Sequence, residues 1–145
     1  MKDILNMMKK TPDVSIGAVV KTADTDGASA DLQGYESALI IAALGANGDT
    51  MSATVMMEIE VEESADDSNF TDVADADLIN YVAGTNDGCM AVDDGTADDS
   101  AFYVAQYIGS KRYVRVVLNA TGTHSTGTIV GAAIIPLGYK NPPTS

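Results

Sequence analysis

Apolar residues recur at every second position along much of this chain, the spacing of β-strands. The pattern is plainest at 50–62. Ala53, Val55, Met57, Ile59 and Val61 share one face, and Met56, Glu58, Glu60 and Glu62 share the other. Successive side chains of a strand point to opposite faces, so this reads as a strand with one face in a core and an acidic face in water. A second clean alternation runs from Arg112 to Ala120. Arg112, Val114, Val116, Leu118 and Ala120 lie on one side, and Tyr113, Arg115, Val117 and Asn119 on the other. With the apolar stretch before it, residues 102–120 form two strands on either side of a bend at Ile108, Gly109 and Ser110.

The remaining segments fit the same scheme. Residues 13–20 alternate through Val14, Ile16, Ala18 and Val20, with Gly17 as a weak point or bulge. Residues 35–44 are the most apolar run. Bounded by Gly34 and Gly45, they predict a buried strand, and Asn47-Gly48 behind them is a hairpin signal. Residues 78–82 predict a short strand. Residues 129–137 predict a last one, with Pro136 suited to an edge or an end. Between these lie polar loops: 23–30, 64–77 with Phe70 and Val73 as anchors, 83–100, and 121–128 as a hairpin turn. Residues 1–10 form a short amphipathic helix or an arm, stopped by Pro12. The total is seven or eight strands at short spacing. It predicts an all-β fold, an antiparallel β-sandwich with the jelly roll as leading candidate, over 13–138. An N-terminal arm, 1–12, and an extended tail, 139–145, flank it.

Charge sharpens this picture. The 145-residue chain carries a formal charge of −13, and no basic residue lies between Lys21 and Lys111. Such a field repels nucleic acid and anionic membranes, so neither is an expected partner. No run approaches the length of a membrane helix and no secretion signal is visible, so a soluble chain made in the cytoplasm is expected.

Candidate chemistry is sparse. Cys89 is the single cysteine and His124 the single histidine, so multi-thiol metal sites are excluded and a nucleophilic pair is not expected. Asp24, Asp26 and Asp31 resemble part of a calcium loop, but position twelve from Asp24 is Tyr35 rather than glutamate. The pairs Asp66-Asp67, Asp93-Asp94 and Asp98-Asp99 read as solvated turns. His124 reads as an exposed turn residue. No catalytic residue, cofactor or metal is expected. Lys111, Arg112 and Arg115, three of eight basic residues, form the one basic cluster.

The segments YESALIIAALG, EVEESADDSNFTDV and YIGSKRYVRVVLNATGT, in that order, resemble small β-rich head proteins of tailed bacteriophages. These are the decoration, cement or auxiliary capsid proteins. The resemblance covers residues 34–137. It implies a non-enzymatic virion protein at the capsid surface that binds the major capsid protein at subunit junctions and stabilises the shell as a dimer or trimer. The alternatives are a head–tail joining, tail or receptor-binding component, and a carbohydrate- or calcium-binding module. The surfaces expected to make such contacts are Ile4, Leu5 and Met8 of the arm, the face Glu58, Glu60 and Glu62, and the cluster Lys111, Arg112 and Arg115.

Overall fold

The structure, a computed structural model, describes residues 4–95 and 100–140. Its strands, in chain order, are β1 (Asp13–Lys21), β2 (Thr25–Asp26), β3 (Ala30–Asp31), β4 (Tyr35–Asn47), β5 (Met56–Ser64), β6 (Thr71–Asp72), β7 (Leu78–Ile79), β8 (Cys89–Asp93), β9 (Ala101–Tyr107), β10 (Tyr113–Thr121) and β11 (Thr128–Tyr139). Short 3-10 turns occupy Ile4–Asn6 and Asp75–Asp77.

The strands form two antiparallel sheets. The first has the order β1-β11-β4-β9-β7. The second runs β2-β10-β5-β6, with β3 also on β10 and β8 also on β5. The sheets face each other across one core. Ile40 and Leu44 of β4, Tyr107 of β9 and Ile134 of β11 meet Met57, Ile59 and Val61 of β5 and Val114, Val116 and Leu118 of β10. The residues from β5 and β10 are the alternate positions read from the sequence, so period-two patterning sets which side of those strands enters the core.

The turns behave differently from their sequence reading. Residues 108–110 carry the chain from β9 in one sheet to β10 in the other. Asn47-Gly48 and residues 121–128, both read as hairpins, are also crossings between sheets. Gly48 is required for another reason: a Cβ there would lie 2.2 Å from a side-chain carbon of Thr126. In 83–100, read as loop, Cys89–Asp93 forms β8 on the edge of β5. The 78–82 strand shortens to Leu78–Ile79. The register of β1 against β11 shifts on either side of Ile16, so the irregularity expected near Gly17 is present.

The N-terminal segment lies against the first sheet. Lys9 N–H donates to the Pro136 carbonyl at 2.8 Å, and Gly138 N–H donates to the Met7 carbonyl at 2.6 Å. Met8 bridges to Leu137. At the other end, β11 takes in Tyr139, which the sequence assigned to the tail. Met1, Lys2, Asp3 and residues 141–145 lie outside the described residues.

Candidate functional site

The outer face of β5 differs from its reading as an acidic face in water. Glu58 is 8% exposed and Glu60 is 4% exposed. Glu60 and Glu62 find partners within the chain. The Asn86 amide donates to one Glu60 oxygen at 3.1 Å and the Asn119 amide to the other at 2.5 Å. Burial, with Asp72 and Glu58 adding repulsion, pushes the Glu60 carboxyl up from its ordinary value. Arg115, opposite Glu62 in the β10–β5 register, donates to it at 2.6 Å and reaches Asp26 at 3.1 Å. Its guanidinium sits 4.3 Å from the centre of the Phe70 ring. Strand pairing therefore supplies the cation that the glutamates needed. Glu60 and Arg115 belong to an internal network, Glu58 is buried beside it, and only the partly exposed Arg115 and Glu62 keep an outer edge.

The other candidates separate too. Leu5 is 64% exposed, while Met8 is half-buried against the β11 end. Ile4 lies in the first 3-10 turn. Arg112 makes a two-pronged contact with Asp31, at 2.8 and 2.7 Å, and holds that carboxyl below its ordinary value. Asp24 accepts from Ala120 N–H at 2.8 Å, so the carboxylates of the calcium-like loop have partners within the chain. Among the described residues, no group of three or more His, Cys, Asp or Glu side chains is arranged to hold a metal.

Cys89 is not in a turn: it is fully buried at the start of β8, and burial pushes its thiol up. His124 is also buried rather than exposed, with Nε2 3.0 Å from the Thr121 carbonyl. Beside it, Asp49 accepts from the backbone N–H groups of Ser125, Thr126 and Gly127. No local pattern shows the tie, because the carboxylate lies 76 positions or more away in sequence.

One concave feature is built around basic side chains. Lys111, Arg112 and Lys140 line a cleft of about 310 Å³ with residues 32–36, Gly109 and Ser110. The β9–β10 crossing sets its floor. The buried Tyr107 hydroxyl donates to Glu63 at 2.6 Å and accepts from Lys111 N–H at 2.9 Å. Its ring passes under Gly109, where a Cβ would come within 2.6 Å of ring atoms. A glycine is needed for this close approach. Fixed backbone thus presents the Lys111 side chain outward. Tyr35 and Tyr139 stack beside the cleft with centroids 4.7 Å apart, and burial pushes the Tyr35 hydroxyl up to about 12. Arg112 is held by Asp31, whereas Lys111 and Lys140 make no ion pair among the described residues. Glu36 also lines the cleft, so with Arg112 paired to Asp31 the remaining charged lining is Lys111 and Lys140 against one carboxylate. Lys140 was missed as a member because 28 residues of intervening fold bring it to Arg112, and no local pattern encodes that.

No protein-family model, curated protein or solved structure matches this chain. Among the described residues, no helix is long and apolar enough to cross a membrane.

Proposed function

We propose that this protein is a non-enzymatic structural component of a tailed-bacteriophage head, a decoration protein that binds the outer shell at junctions of major capsid subunits. The observation that carries the reading is the cleft. On a chain of net charge −13, Lys111 and Lys140 line one cleft without an ion pair among the described residues. An acidic patch on a shell subunit is the chemistry such a cleft recognises, and the acidic remainder of the molecule favours that orientation. The partner is then a protein surface, and nucleic acid and membranes are disfavoured by charge.

The finer fold reading is a jelly roll, and strand order supports it. With β2 and β3 taken as one strand, β6 and β8 as another, and the two-residue β7 as an addition on the edge of β9, the sheets read β1-β11-β4-β9 and β2/3-β10-β5-β6/8. That is the order of two nested Greek keys, an architecture that capsid and lectin domains use.

The test is cosedimentation of the purified chain with capsids lacking it, followed by electron microscopy. Regular density over the outer shell is expected, and the double substitution Lys111→Glu, Lys140→Glu should abolish it while leaving the melting temperature unchanged. Density at the portal vertex alone would move the protein to head–tail joining or tail. Absence of binding would leave a ligand-binding module, to be pursued with glycans and calcium.

A further inference from the structure

We propose that the outer face of the first sheet is an interface for a second copy of this chain, packed face to face about a two-fold axis. The inference is independent of the capsid reading.

Register places the outward side chains in rows across the sheet. Val14, Ala133, Ile41 and Val104 form one row. Gly131, Ala43 and Phe102 form the next, with Ala18 beside Gly131. Ile135, Leu39, Gln106 and Ile79 form a third. No charged side chain occurs in these rows, on a chain in which 20% of residues are charged. Phe102 is 79% exposed and Val14 63% exposed. Contiguous apolar surface of this kind on a folded protein marks an interaction site.

The sequence carries the same message. Strands β4 and β11 read YESALIIAALGAN and TIVGAAIIPLGY, apolar on both faces. Such near-continuous runs belong to strands covered on both sides. Here the inner positions Ala38, Ile40, Ala42, Leu44, Val130, Ala132 and Ile134 are buried by the second sheet. The outer positions Leu39, Ile41, Ala43 and Ala133 are only half-buried by their neighbours.

Charge and shape select the occupant. A partner chosen by charge would be met by charged side chains, and the rows named here offer none among the described residues. Two copies, each of net charge −13, repel through the rest of their surfaces, so an uncharged face is where they can approach. The face is also self-complementary. Gly131, Ala43, Ala18 and Ala133 floor a shallow groove of about 280 Å³, and Phe102 stands at its side as a knob. In a two-fold contact, a knob entering the partner's groove guarantees the reciprocal insertion. Four strands about 4.8 Å apart, over about seven residues of roughly 3.3 Å rise, give a flat footprint of about 450 Å² per copy. Side-chain relief brings the pair to about 1,000 Å² in total, the lower limit for a specific interface. A dimer in exchange with monomer follows.

Sedimentation velocity over a wide concentration range tests this on the full chain. The unmodified protein should shift from monomer to dimer. Phe102→Asp and Val14→Lys, each at an exposed position, should weaken association at least about tenfold, because each buries an unpaired charge in the dimer. Thermal unfolding confirms that each variant is folded, and Val104→Lys serves if either is not. A monomer at all concentrations would overturn the proposal, including the case in which the face is covered only on capsids. So would a dimer that folded variants leave intact.

Discussion

The two sheets turn opposite surfaces outward. On the second, Glu58, Glu60, Glu62, Asn119 and Arg115 crowd the outer side of β5 and β10, and Asn86 and Phe70 close over them from the loops. On the first, the corresponding positions of β1, β11, β4 and β9 carry no charge in the rows named, and apart from the buried Ile135 they are only half-buried or exposed. The difference teaches that net charge says little about any one face. The same chain spends charged side chains on finishing one sheet and withholds them from the other.

The largest expected effect comes from breaking the finished face. Arg115→Ala leaves the half-buried Glu62 without its cation and strips Phe70 of its stacking partner. Urea unfolding should show a loss of about 2–3 kcal/mol. A loss under about 0.5 kcal/mol would mean that the network is ornamental rather than structural.

A subtler change sharpens the contrast. Glu60 is buried as a carboxylate whose folded pKa is raised, so its charge opposes folding at neutral pH. Glu60→Gln removes the charge and keeps an oxygen for Asn86, while the Asn119 amide turns to offer its oxygen to the new NH2. It should raise the melting temperature at pH 7, and the advantage should shrink as the pH falls toward the ordinary value of 4.5, where the wild-type carboxyl takes up its proton. Asp49 has the opposite sign. Backbone N–H groups, Gly127 foremost, lower its pKa, so its contribution is present above the ordinary 3.8 and lost as the pH falls. Asp49→Asn should therefore flatten the acid limb of a pH–stability curve that Glu60→Gln leaves in place.

The smallest effect on stability is expected on the open face. Val104→Lys, at a position 44% exposed, should change the monomer's unfolding free energy by no more than about 0.5 kcal/mol. A larger loss, measured where the protein is monomeric, would show that the face is covered from within.

Much of the fold could be read from alternation. Residues 56–64 and 113–121 keep strict period two, and their apolar positions enter the core. Strand β8 was hidden because Cys89–Asp93 is short and lies among acidic turn residues. The hairpin readings failed because turn chemistry marks where a chain bends, and which sheet receives it next depends on distant pairing. The site was less legible. Burial of Glu60 depends on amides 26 and 59 positions away in sequence, Asn86 and Asn119, and the cleft joins Lys111 to Lys140 only through topology. The apolar outer face is visible in the double-sided runs of β4 and β11, but apolarity alone does not say whether the cover comes from the same chain, and the 35–44 run by itself predicts a buried strand.

The contact between the two ends of the chain has a mechanical consequence. Met7–Lys9 and β1 run antiparallel to β11, and residues 4 and 140 leave the fold at the same end. Tension applied between these ends would load the β1–β11 ladder like a zip, breaking its hydrogen bonds one after another rather than all at once. A molecule of this design resists little when pulled by its ends and much more when force enters broadly through its faces. Attachment by surfaces, with the ends left slack, is the arrangement in which it would bear load.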